Sequence, residues 1–244
     1  LYQKGELPEG PYFAIVGTRI PSLYAQKICA EIASFLAEKG FCIVSGLARG
    51  IDSIAHKSAL EAKGKTIAFL GNGLDIVYPP ENLALYREIS TSGALLTEFP
   101  FGRKPDKKTF PMRNRLVSGI ASGVLVVESG VTGGSLITAR LAADQGRAVF
   151  AVPGRIDLDS SIGCHNLIRE GVTLVSKPQD ILDDLLPSLS ATLISGKDSI
   201  GRGEKEPFDE KDLSDEEKKI FKLLKEGQIF NVDEICTQSG LSMK

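Results

Sequence analysis

YFAIVGTRIPSLYAQKICAEIASFLAEKGFCIVSGLARGID, residues 12–52, decides the fold. Its first five residues, Tyr12–Val16, form a short apolar run of the kind that becomes a strand covered on both faces. Ala25, Ile28, Cys29, Ile32, Phe35 and Leu36 then recur at the spacing of one helix face, and Gly40 stops the pattern. A second apolar run, Phe41–Ser45, follows at once. Strand, helix, strand with both strands almost wholly apolar describes a parallel pair, because a parallel connection needs the crossover that the helix supplies.

The alternation continues to about Leu186. Thr66–Leu70, Ala94–Glu98, Gly123–Glu128, Ala148–Ala151 and Thr173–Val175 read as further short strands. Helices are expected at Asp52–Lys63, Glu81–Thr91, Arg113–Ala121, Ser135–Gln145, Ile162–Glu170 and Pro178–Leu186. Repeated strand–helix units make residues 12–187 an α/β domain with a doubly wound, mostly parallel sheet. Ligands of such sheets bind at the carboxyl ends of the strands, near a reversal of strand order. Residues 1–11 read as a linker remnant. Residues 188–212 are rich in Ser, Gly and charge and read as a flexible linker. Residues 213–244 turn helical again, with Ile220, Phe221, Leu223 and Leu224 on one face, and resemble the opening of a winged-helix module that stops before a recognition helix. The chain opens without Met, as a piece of a longer protein does.

Composition narrows the function classes. With 42% hydrophobic and 25% charged residues, the chain has the make-up of a globular protein. No apolar run approaches the ~20 residues of a membrane span and no signal-peptide pattern opens the chain, so a cytoplasmic location is expected. Cys29, Cys42, Cys164 and Cys236 have no paired spacing, which indicates neither a disulfide framework nor a zinc site. His56 and His165 are the only histidines, little material for metal or acid–base chemistry. No cofactor is indicated.

The loops after the strands carry what chemistry there is. Gly17-Thr18-Arg19 lacks the G-x-G-x-x-G fingerprint, and the second strand ends in Ser45 rather than an acid, which argues against a dinucleotide. Gly71-Asn72-Gly73 has two of the glycines, but Ile76 stands where the third belongs. No serine sits in a nucleophile elbow. Glu98 and Glu128 end strands, where catalytic acids lie, but hydrogen bonding to loop amides explains them equally well. What remains are glycine-rich turns at Ser45–Asp52 and Ser129–Ser135, whose amides and helix N-termini favour an anion, with Arg19 and Arg49 adding forked donors. Asp52 and Ser135 are also good N-caps. Finally, GRKPDKKTFPMRNR at 102–115 holds six cations, one acid and one aromatic, Phe110, in a protein whose net charge is −2. Cations interleaved with a ring suit a single-stranded nucleic acid, the cations on phosphates and the ring under an unpaired base. With the Gly17-Thr18-Arg19 loop, the two glycine-rich turns make three on one sheet edge, and joined by this basic run they describe a polyanion site.

These residues carry a family resemblance. AIVGTR at 14–19, VSGLARGID at 44–52, FPMRNRLVSG at 110–119, GSLITARLAADQGR at 134–147, AVPG at 151–154 and GCHNLIREG at 163–171 resemble the DprA/Smf family of bacterial DNA-processing proteins. The resemblance implies an extended Rossmann-like domain that binds single-stranded DNA without chemistry on it, protects incoming DNA and helps load the RecA recombinase during natural transformation. It implies a homodimer, with Cys164–Val175 as a candidate contact region. By motif, Arg19 would clamp a phosphate, and Gly46 with the amides around Gly133 and Ser135 would line the same pocket. Lys107 would contact phosphate and Phe110 would stack on a base, while the adjacent Lys108 blurs the register. Arg113 and Arg115 match the family's RNR run, and at least one of them would be structural, paired to a strand-end carboxylate such as Glu128. The sequence departs from the family in two places: the small helical domain that usually precedes this fold has no counterpart, and the downstream winged-helix-like domain is cut short. Two other classes compete with a DNA binder that is not an enzyme. One is a nucleotide-binding enzyme or small-nucleotide sensor on a related fold, and the other is an interaction scaffold with a merely solvated basic loop.

Overall fold

The computed structural model of the protein describes residues 1–186. The linker expected at 188–212 and the winged-helix-like segment expected at 213–244 lie outside the described residues. Eight strands, β1 (Tyr2–Gly5), β2 (Tyr12–Val16), β3 (Cys42–Ser45), β4 (Thr66–Phe69), β5 (Ala94–Thr97), β6 (Gly123–Val126), β7 (Ala148–Ala151) and β8 (Thr173–Leu174), form one sheet. Between them run α1 (Leu23–Glu38), α2 (Ile51–Glu61), α3 (Leu83–Ser92), α4 (Thr109–Ile120), α5 (Gly134–Asp144) and α6 (Ile162–Arg169), and residues 179–186 are helical. No helix among the described residues is long and apolar enough to cross a membrane.

The strand order is β1-β5-β4-β3-β2-β6-β7-β8. β2 sits near the middle because it is apolar on both faces: Phe13, Ala14 and Ile15 are wholly buried. Its parallel partners are β3 on one side, Phe13 opposite Ile43, and β6 on the other, Phe13 opposite Gly123. The chain winds outward from β2 through β3, β4 and β5, then returns to lay β6 against β2 and winds the other way through β7 and β8. Strand order therefore reverses between β2 and β6, which makes the sheet doubly wound and Rossmann-like.

Strand periodicity divides the core in two. Phe13 and Ile15 pack with Cys29, Ile32 and Leu36 of α1 and Ile51 and Ala55 of α2. Ala14 and Val16 face the other way, onto Val117 of α4 and Leu136 and Ala139 of α5. Cys29, Cys42 and Cys164 belong to these layers as free thiols, and burial raises all three, Cys42 and Cys164 to about 12.

The structure departs from the sequence reading in three places. Residues 1–11 are not only a linker: Tyr2–Gly5 pairs antiparallel with β5, Tyr2 opposite Thr97. Helix α4 begins at Thr109 rather than Arg113, because Pro111 lies in its first turn, where a missing N–H costs nothing. Asp106 prepares that start: its carboxylate accepts from Lys108 N at 2.8 Å, and its carbonyl accepts the Thr109 hydroxyl at 2.9 Å. Asp52 and Ser135 are not N-caps. Gly50 and Gly133 hold those positions, Gly50 at φ 74°, and each polar side chain lies one residue inside its helix.

Candidate nucleic-acid interface

The loop after β2 is pinned from both sides. Thr18 N donates to Glu128 O beyond β6 at 2.8 Å, and Ile51 N at the start of α2 donates to Thr18 O at 3.2 Å. Gly50 permits this approach, since a Cβ there would overlap the carbonyls of Thr18 and Arg19. So held, Arg19 projects its guanidinium over the Phe110 ring, 5.3 Å from the centroid. Tyr78, in the loop after β4, stacks on the same ring at 5.7 Å and 29°. Phe110 also rests on Gly71, where any side chain would strike it.

Arg113 lies beneath this cluster. It is 5% exposed, its guanidinium donates to Phe69 O at the end of β4, and its Nε donates to Asn114 Oδ1 at 3.2 Å. Gly46 has no Cβ because the guanidinium fills that space. Burial lowers the Arg113 pKa from its ordinary value, and the Asp52 carboxylate opposes that shift. Burial in turn raises Asp52, against the pull of Arg113 and of the Ala48 and Gly46 amides. Those amides, which the glycine-rich turn offered to a ligand, donate instead to Asp52 Oδ2, at 3.0 Å from Gly46 and 3.4 Å from Ala48. The turn is thus already filled by the chain's own carboxylate, and anion attraction falls to the side chains.

Arg19, Gly46, Arg49, Phe110 and Arg113 line one cleft together with Gly71 and Tyr78, at the carboxyl ends of β2, β3 and β4. With the rings and Arg19 in contact it holds only about 10 Å³. Arg49 is exposed and paired with Glu81. Lys107 and Lys108 are exposed in the loop before α4 and do not line the cleft. Nor do Arg115, Gly133 and Ser135. The Ser135 hydroxyl donates to Ser129 Oγ at 2.9 Å, and Gly133 packs on that same serine. Arg115 pairs with Glu98. Glu128 serves neither RNR arginine: it accepts the amide and hydroxyl of Ser22, so the expected pairing with it is replaced by Arg115–Glu98 and by Arg113 on a backbone carbonyl. Two members went unread in the sequence, Tyr78 and Asp52 as an acceptor for its own turn. An aromatic in the unusually long loop 70–79 was the available signal for the first.

The sequence model of the family described as DNA recombination-mediator protein A matches residues 1–186. Protein Smf of Escherichia coli (strain K12) is 46% identical over 188 residues, which cover 76% of this chain and 50% of that one. Among solved structures, DNA processing protein A (DprA) from Streptococcus pneumoniae is 42% identical with a TM-score of 0.71, covering 75% of this chain and 65% of that chain. The structure reported for the single-stranded DNA binding mode of DNA processing protein A from Helicobacter pylori is 32% identical with a TM-score of 0.70, covering 77% and 86%. The chain spans about half the length of the curated relatives it matches. On the family match over residues 1–186 and on these identities, the chain belongs to the DNA recombination-mediator protein A family, the DprA/Smf family.

Proposed function

We propose that this chain binds single-stranded DNA at the carboxyl edge of its sheet and does no chemistry on it. The observation that carries the reading is the joining of Arg19, Tyr78 and Phe110 into one cluster of cation and rings, with Arg113 behind it. A ring offers any unpaired base a stacking face, and the cations hold phosphates without regard to sequence, whereas a duplex hides its bases. Similarity to the Helicobacter pylori protein, whose structure was reported for its single-stranded DNA binding mode, supports the same reading. Arg19 clamps a phosphate, Phe110 stacks on a base, and Gly46 leaves room for the buried Arg113 cation. Arg49, Lys107 and Lys108 add phosphate contacts as the strand leaves the cleft. Arg115 and the Gly133–Ser135 turn continue the path toward β6. The strand-end carboxylates already hold partners, Glu98 on Arg115 and Glu128 on Ser22, and among the described residues no serine or cysteine nucleophile lines the cleft, which supports binding rather than catalysis.

In the whole protein this binding protects incoming DNA and helps load the RecA recombinase during natural transformation and recombination in the bacterial cytoplasm. The protein acts as a homodimer through Cys164–Val175, a reading supported by β8 lying at the sheet's edge with Leu174 43% exposed. Fluorescence anisotropy with labelled single- and double-stranded oligonucleotides tests the core claim, and a clear preference for single strands is expected. Equal affinity for both forms would sink it. Tight binding or turnover of a mononucleotide would favour a nucleotide enzyme instead.

A further inference from the structure

A second cavity opens at the same sheet edge, on the other side of the strand-order reversal. It holds about 440 Å³, inside the range of roughly 300–1,000 Å³ usual for small-molecule sites. Its walls follow β6 and β7 and the start of α1: Tyr24, Val127, Val152, Pro153 and Leu158, with Glu128 among them. The loop after β2 joins the two sites, since Arg19 stands in the first and Ser22 in the second. Three residues of chain put their Cα atoms at most ~11 Å apart, within reach of neighbouring nucleotides of one strand.

The two sites have opposite polarity. Arg155, the only cation in the second wall, is bound to Asp157 at 2.6 and 2.9 Å. Glu128 is 5% exposed. A phosphate entering this cavity would meet a carboxylate where water screens poorly, so the occupant is uncharged or cationic. Glu128 Oε2 accepts the Ser22 hydroxyl, and both oxygens share the Ser22 amide at 3.3 and 3.4 Å. A carboxylate has about four acceptor sites, so capacity remains for two further donors. Apolar walls with one tyrosine ring and a paired acceptor fit a nucleobase that offers two adjacent N–H groups. Guanine does so through N1 and its exocyclic amine, whereas thymine has one N–H flanked by carbonyls.

We propose that this cavity takes an unstacked base of the same single strand that is held at Arg19 and Phe110, and that Glu128 makes it selective for guanine over thymine. The inference rests on the single-strand reading above. Anisotropy titrations would compare a labelled oligothymidylate with the same oligomer carrying isolated guanines. The guanine-bearing strand is expected to bind about tenfold tighter, the discrimination of one well-placed pair of hydrogen bonds. Glu128→Gln keeps an acceptor for Ser22 but turns one carboxylate oxygen into a donor, and should bring the two affinities within about twofold. Leu158→Trp, at a wall position 39% exposed, takes up cavity space while leaving Glu128 unsubstituted and should do the same. Equal wild-type affinities, or a guanine preference that survives in both variants, would overturn the proposal while oligothymidylate binding still stood. Loss of all oligonucleotide binding in the wild type would instead remove the single-strand reading, and this one with it.

Discussion

Arg113 and Gly46 show how single residues set the site, and His56 how one sets stability. The Arg113 guanidinium occupies the space a Gly46 side chain would need, so Gly46→Ala must push it off Phe69 O and leave a buried carbonyl short of its donor. A loss of about 2–3 kcal/mol is expected, read as a lower urea midpoint at unchanged slope. Phe110→Ala should weaken single-strand binding by about 1–3 kcal/mol, the worth of one base–aromatic stack, measured by anisotropy. His56 is a stability switch rather than a site residue. The Thr66 hydroxyl gives its only proton to Ile43 O, so His56 Nδ1 donates to Thr66 at 2.6 Å, and the buried Nε2 is left without a partner. Burial, helped by the Arg113 charge, pushes its pKa down to about 3. Between that value and the ordinary one near 6.5, the unfolded chain binds a proton that the folded protein refuses. Stability from this residue is therefore complete above pH ~6.5 and falls as pH drops, by up to about 1.4 kcal/mol per unit. Urea unfolding at pH 7, 6 and 5 should show a shallower loss for His56→Gln than for the wild type.

Among the elements, the central strands were the most legible. Tyr12–Val16 and Ala148–Ala151 match the expected bounds, and the other parallel strands differ by one or two residues, because burial on both faces leaves an unbroken apolar run. Tyr2–Gly5 carried no such mark: its residues are all exposed, and only its pairing with β5 makes it a strand. The start of α4 was misplaced because Pro111 reads as a break until Asp106 is seen organising the turn before it. In the site, Arg19 and Gly46 were legible because each lies in the turn that follows an apolar strand. Tyr78 was not, because it reaches Phe110 from a ten-residue loop with no periodicity, and contacts across sequence leave no local pattern. Removing residues 1–5 should speed hydrogen exchange at Ala94–Thr97 while leaving Tyr12–Val16 protected, since only β5 would gain an open edge. Ser22→Ala should cost about 0.5–2 kcal/mol, because Ser22 caps α1 through Ala25 N at 3.2 Å.

At the scale of the molecule, a net charge of −2 conceals a cationic edge. Binding should weaken with salt, with a slope of log K against log salt near −0.7 for each phosphate contacted on a single strand. Arg19, Lys107 and Lys108 would thus give a slope of about −2, and Arg49 less than a full share because Glu81 already holds it. A salt series on the wild type and on Lys107→Ala would measure the difference. The parallel sheet has one more consequence. Because β2 to β8 all point the same way, the strand-to-helix loops gather on one edge and the returning helix-to-strand turns on the other. Gly40 before β3 and Gly146 before β7 turn the chain on that far side at φ 85° and 68°, and beside them Lys39 and Asp144 are exposed and free of that constraint. A fluorophore, a surface tether or an inserted peptide attached there faces away from both cavities, so the molecule can be immobilised for single-molecule work with its working edge free.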